Sequence, residues 1–339
     1  MNNPTKFLQA SLAALAVAFT SQLSAQPVST PVVGFVTTTI AAGTVSGPTP
    51  TFVSPVFNVA PETSGASSGA LSTVTSNTIS VSSAGWTSGN LASAQSYIML
   101  TSGSQTGLVL RIISNTGDTA TLETSGLNLQ SVGVASGDNF KLLVGETLLS
   151  MFGTPADGVL GGTASNFTAR LTDTVNMVDN LGVLRTYYFN TDFNQWRRSG
   201  SSNDQGSTPI SPTSGALYFR KSLTNLSLLQ SGTVPTNEVR YIVPAGGTVF
   251  LGRFFPAEGT ISSLGIQNLP GWTVTNDKLI TLDTLGVLRT YFWNGSSWRR
   301  SGSSSDQGAV QIPAGGAVYT FRPGTGSAQI LSVAVPYTL

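Results

Sequence analysis

The chain has no cysteine and no histidine, and only 9% of its 339 residues carry a charge, against roughly 25% in an average soluble protein. Each shortage excludes something. Without cysteine there are no disulfide staples and no thiol nucleophile, so stability must come from core and sheet. Without histidine a Ser-His-Asp triad cannot be assembled, and zinc sites of the usual type lose their ligands. No glycine-rich phosphate or dinucleotide loop stands between a strand and a helix. No cofactor is expected. Paired carboxylates, as in glycoside hydrolysis, are the remaining enzymatic route. Asp157, Asp179, Glu238, Glu258 and Asp283 are the acids to consider.

Long apolar runs are scarce too. One opens the chain: in MNNPTKFLQASLAALAVAFTSQLSAQP a single Lys6 precedes the apolar stretch Leu8 to Phe19, and Leu23-Ser24-Ala25 offers a cleavage site. Residues 1–25 read as a secretory signal peptide, too short for a comfortable membrane span. Its removal takes away Lys6 and no acid, leaving 15 basic and 15 acidic residues. A net charge of zero argues against a nucleic-acid partner and against electrostatic docking on anionic lipid. No later stretch is apolar enough to span a bilayer as a helix. A membrane β-barrel is weighed because of the Thr-, Gly- and Tyr-rich alternation, but the strands are short and the last residue is Leu339.

What is present is hydroxyl, amide and glycine. Short Val, Ile, Thr, Tyr and Phe runs alternate with Gly, Ser, Asn and Pro clusters, the pattern of strands and turns. The segment 71–81 reads as a hairpin around Ser76-Asn77. The segment 107–124 reads as another, turning at Asn115 to Asp118 with Gly117 free to take positive φ. ETLLSMF (146–152) fits a short helix or a strand.

A long passage occurs twice. LGVLRTYYFNTDFNQWRRSGSSNDQG (181–206) returns as LGVLRTYFWNGSSWRRSGSSSDQG (285–308). Asp179 matches Asp283, FGTPADG (152–158) resembles FFPAEGT (254–260), and the segments 227–236 and 329–338 correspond loosely. The expected organisation is all-β: an N-terminal β domain over 26–144, then two homologous sandwich- or barrel-like modules over 145–243 and 244–339. The modules stand in tandem or form one pseudo-symmetric assembly.

Each repeated passage reads as a hairpin. A two-residue Asn294-Gly295 turn would set Arg289 opposite Arg300, a repulsive pair. A four-residue loop instead sets Trp293 opposite Trp298 and Tyr291 opposite Arg300, and is the preferred register. Copy one has two more loop residues, an even number that preserves strand facing. One face then carries Arg289, Tyr291, Trp293, Trp298 and Arg300, matched by Arg185, Tyr187, Trp196 and Arg198. The other carries Leu288, Thr290 and Phe292, or Leu184, Thr186 and Tyr188, and is expected to face the core. The mixed face is either a binding platform of rings and guanidinium groups or a self-supporting cross-strand ladder. Asp204 and Asp306, alone among Ser, Asn and Gly, read as turn caps and not as calcium ligands.

The early VGFVT strand (33–37), the YIMLTSGSQTGLVLRIISNTGDTATL segment (97–122) and the paired WRRSG hairpins together resemble an uncharacterised family of exported β-rich proteins of verrucomicrobial-type bacteria. The resemblance implies export and a β fold, and carries no catalytic residue. The leading functional expectation is a non-enzymatic structural or adhesion protein at the cell surface, outside the cell or in the periplasm. Its partners would be envelope or extracellular components or copies of itself. The alternative is a polysaccharide-binding protein using the two mixed faces, with bivalent avidity. A secreted hydrolase with a carboxylate pair comes third.

Overall fold

The computed structural model describes residues 32–57, 65–163, 171–179, 181–324 and 326–338, and residues 1–25, read above as a signal peptide, lie outside them. The protein is all-β, with strands paired antiparallel and helices of a single turn. Strands β1 (Val33–Ile40) and β2 (Thr49–Val53) come first. They are followed by β3 (Ser68–Ala70), β4 (Thr73–Val74), β5 (Thr78–Ser80), β6 (Ser96–Leu100), β7 (Val109–Asn115), β8 (Thr119–Leu122) and β9 (Asn139–Val144). These last seven build one sheet in the order β3-β9-β6-β7-β8-β5-β4 around a core of Ile98, Leu110, Ile112, Phe140 and Trp86. Both hairpins read from the sequence form here, at 75–78 and 115–119. Gly117, however, keeps a negative φ.

After that sheet come β10 (Glu146–Thr147), the helical turn Leu148–Phe152, β11 (Thr174–Val178), β12 (Leu184–Asn190), β13 (Gln195–Arg198), β14 (Pro209–Ile210), β15 (Ala216–Arg220) and β16 (Leu226–Thr233). ETLLSMF is thus both strand and helix. The rest is β17 (Val239–Val243), β18 (Gly247–Gly252), β19 (Gly259–Thr260), β20 (Lys278–Leu282), β21 (Leu288–Trp293), β22 (Trp298–Arg300), β23 (Gln311–Ile312), β24 (Ala317–Arg322) and β25 (Gln329–Val333).

Two five-stranded sheets have the same plan: β13-β12-β11-β15-β2 and β22-β21-β20-β24-β18. Their registers agree pair by pair. Val175 faces Tyr187 as Leu279 faces Tyr291, Tyr187 faces Arg198 as Tyr291 faces Arg300, and Leu217 faces Phe52 as Tyr319 faces Phe250. Each module adds a two-stranded ladder, β1–β16 or β17–β25, and a short pair, β10–β14 or β19–β23.

This topology corrects the domain boundaries read from the sequence. β1 and β2 complete module one, so its chain is interrupted and the sheet of 65–144 is an insertion between β2 and β10. In module two only residues 253–258 separate the corresponding strands β18 and β19. β17 likewise belongs to module two, so the boundary at 243 falls too late. Composition could not reveal this, because β1 and β2 have the same Thr- and Val-rich makeup as the sheet that follows.

The modules meet face to face through Phe52, Leu217, Phe250 and Ala317, with Phe52 and Phe250 ring centres 6.0 Å apart. The seam is reciprocal. Ser54 N–H donates to Gly315 O at 2.7 Å, and its counterpart Gly252 N–H donates to Thr213 O, the counterpart of Gly315, at 3.0 Å. Reciprocity of this kind is the mark of a two-fold contact, here within one chain. Near its axis Gly215 faces its own counterpart, Ala317. A methyl built on Gly215 would lie 2.5 Å from the Ala317 Cβ and 2.7 Å from Val53 O, so the seam has no room for it as it stands.

Candidate functional site

The four-residue loop register is the one that forms: Tyr291 lies opposite Arg300 and Trp293 opposite Trp298. Gly295 at the loop tip has φ +99. Copy one uses its extra residues for the additional pair Asn190–Gln195 and keeps the same facing. The assignment of faces, by contrast, is inverted. The aromatic–arginine side is the core side. Tyr187, Phe189 and Trp196 join the core of module one, and Tyr291 and Trp298 that of module two. Trp196 is 1% exposed and Trp298 0%, while Leu184 and Leu288 on the supposed core face are 45% and 36% exposed.

Of the two readings of the mixed face, the stacking platform does not exist at these rings. Trp196 donates its indole N–H to Gly153 O at 2.9 Å and packs edge-on to Phe189. Trp293 is half-buried and packs against Trp298 at 5.9 Å, and Trp298 also touches Trp272. The Tyr291 hydroxyl and Trp298 indole N–H are buried with no hydrogen-bond partner among the described residues. Sequence reasoning took arginine as a sign of a wet face. The arginines instead stand at the sheet margin, where their stems cover apolar surface and their heads reach outward.

Those heads meet the repeated aspartates. Asp179 Oδ1 accepts from the Leu181 and Val183 N–H groups at 3.0 and 2.9 Å, and Oδ2 from Arg185 Nε at 2.7 Å. Asp283 does the same with Leu285, Val287 and Arg289 at 2.9, 3.0 and 2.7 Å. Arg300 lies 3.8 Å from Asp283, and Arg198 stands half-buried opposite Tyr187. Gly182 and Gly286 supply the left-handed residue of each turn, with φ +74 and +72. Desolvation works to raise the Asp179 pKa, but the Arg185 hydrogen bond and charge and the two backbone donors outweigh it and hold the carboxyl below its ordinary value. At Asp283 the Arg289 hydrogen bond is the largest cause of the same lowering. Asp204 and Asp306 each accept from the glycine N–H two residues on, at 2.8 and 2.9 Å, as turn caps do.

One pairing read from the sequence is corrected. Glu258 does not correspond to Asp157. Thr260 and Ser263 exchange the same side-chain-to-backbone hydrogen bonds as Thr147 and Ser150, which aligns 258–263 with 145–150. Asp157 instead caps its own turn by accepting from Thr154 N–H at 2.9 Å.

Two buried ion pairs escaped the sequence reading. Asp173 and Arg220 form a salt bridge at 0% and 2% side-chain exposure, and Asp277 and Arg322 occupy the corresponding place in module two at 3.2 Å. Their signal was an aspartate before the first sheet strand and an arginine ending the Tyr-rich strand, in both copies. Burial and the Asp173 charge push the Tyr218 hydroxyl, which donates to Asp173, far above its usual pKa.

A cleft lies where the inserted sheet and both modules meet. It encloses about 460 Å³ and takes Tyr97, Arg111 and Glu123 from the insertion, Asp179, Tyr187 and Thr208 from module one, and Thr248 from module two. A second hollow of about 180 Å³ shares Tyr97, Arg111 and Glu123 with it. Of the residues singled out in the sequence, Tyr187 and Asp179, the partner of Arg185, both line this cleft. Desolvation pushes the Tyr97 hydroxyl up to about 12, against the lowering influence of the Arg111 charge and a hydrogen bond with Ser211, so it is a neutral phenol near pH 7. Among the described residues no helix is long and apolar enough to cross a membrane, and no three acidic side chains gather as metal ligands would.

No family model matches the chain, and neither the curated proteins nor the solved structures yield a match.

Proposed function

We propose that the protein is a non-catalytic, exported structural or adhesive component of the cell surface or envelope. The observation that supports this reading is the burial of Trp196 and Trp298 in the module cores. The repeated aromatic–arginine passage then serves the scaffold, and the repeated carboxylates serve its turns. Asp179 and Asp283 have both oxygens occupied by backbone and arginine donors. A proton-transfer or nucleophilic role would need an oxygen free to reach a substrate. Low charge and a hydroxyl-rich surface suit close packing against neutral neighbours.

Two measurements test this. Fractionation of the source cells should place the protein in the envelope or the medium, and recovery in the cytosol would overturn the reading. Residues 26–339 carrying both Trp196→Ala and Trp298→Ala should fail to fold, because emptying a buried aromatic site costs about 3–5 kcal/mol each time. A double variant that stays folded and loses retention on an insoluble polysaccharide would instead restore the platform reading.

A further inference from the structure

We infer that the cleft between the inserted sheet and the two modules is a binding site for a neutral saccharide. The argument starts from a difference between the two modules. Matched registers give each cleft residue of one module a counterpart in the other. Thr208 corresponds to Val310 and Ser211 to Pro313, through the paired strands β14 and β23. Thr248 corresponds to Pro50, since Phe321 faces Thr248 as Phe219 faces Pro50. The fold is therefore built equally well with an apolar residue at each of these places. At these three places the hydroxyl stands on the side that the insertion walls in, while at Val249 and Met177 the lining is apolar where the counterparts Thr51 and Thr281 carry hydroxyls.

The insertion contributes the charged part of the lining. Arg111 and Glu123 face each other at 3.7 Å, half-buried, and Asp179 is neutralised by Arg185 at 2.7 Å. Charges cancel within the cleft, so neither an anion nor a cation is favoured. The Thr248 hydroxyl donates to Gly182 O, which leaves its lone pairs to accept. Glu123 also accepts, Arg111 donates, and the Tyr97 phenol stays protonated. A ligand with several hydroxyls, each both donor and acceptor, satisfies this mixture, and the Tyr187 ring adds apolar contact. The volume lies within the range of small-molecule sites, and the site sits at a junction between units, where such sites concentrate. This inference stands apart from the structural role proposed above and is compatible with it.

The test is titration of folded residues 26–339 with glucose, galactose, mannose, N-acetylglucosamine and their β-linked disaccharides, followed by calorimetry and by ligand-observed NMR. At least one probe should bind saturably at one site per chain. Glu123→Gln and Thr208→Val should each weaken it about tenfold with unchanged melting, the second importing a residue that module two already uses. Arg289→Lys, remote from the cleft, should leave affinity unchanged. If no probe binds, or if binding survives both cleft substitutions, the inference is wrong.

Discussion

Replacing Asp173 by asparagine is the substitution with the clearest expected cost. Asp173 is fully buried and holds five donors: the Arg220 guanidinium, the Tyr218 hydroxyl at 2.8 Å, and the N–H groups of Lys221, Leu160 and Ser222 at 2.7, 2.9 and 3.4 Å. Arg220 in turn donates to Thr224 O and Gly158 O at 3.0 and 2.8 Å. Asparagine keeps the shape, removes the charge and points an NH₂ at groups that are themselves donors. Leaving a buried arginine uncompensated costs about 3–5 kcal/mol, a few hundred- to a few thousand-fold in the folding equilibrium. The usual remedy for a buried pair, apolar residues at both places, should not work here. Asp173→Leu with Arg220→Met would strand backbone donors and carbonyls that these side chains now satisfy, each costing about 1–3 kcal/mol. Both variants should therefore unfold at lower urea than wild type. Intrinsic fluorescence would follow this, since Trp196 is the one tryptophan of module one among the five in the chain. A double variant as stable as wild type would refute the idea that the pair clamps the backbone.

Other outcomes follow from the same contacts. Asp179 and Asp283 have lowered pKa values in the folded protein, so their stabilising effect is complete above the unfolded value near 4 and is lost as pH falls through the folded values. Acid unfolding followed by circular dichroism should be shallower in Asp179→Asn with Asp283→Asn, and an unchanged pH slope would contradict this. Gly215→Ala should destabilise by about 1–3 kcal/mol by overpacking the two-fold seam. Adding Ala317→Gly should recover part of that loss in a thermal melt, and no recovery would mean that the second methyl is not the obstacle.

The sequence carried the fold class, the hairpin register and the aspartate turns, because each rests on local chemistry: alternation, like-charge avoidance, Asx hydrogen bonds. It misled on the hairpin faces. Alternation separates two sides of a strand without saying which side is inside. Arg185 and Arg289 suggested solvent when it is the aromatics between them and the opposite strand that decide burial. It was silent on the pairing of β2 with β15, since nothing local in Thr49–Val53 announces a partner so far along the chain. The cleft was legible only through Tyr187 and Asp179. Arg111 and Glu123 come from a sheet whose position against the modules no periodicity encodes.

The interrupted path of module one also sets a timetable. β1 and β2 are made first, but their partners β16 and β15 are made about 160 residues and more later. In the meantime the inserted sheet, whose strands all find their partners within 65–144, can close on its own. Module one is then the last of the early segments to be satisfied, and its two leading strands wait with open edges while the rest of the chain is made. Non-local pairing of this kind is slow and leaves such edges open to unwanted strands. In a newly made chain the segment Val33–Val53 is therefore the part most open to unwanted pairing until β15 and β16 are made.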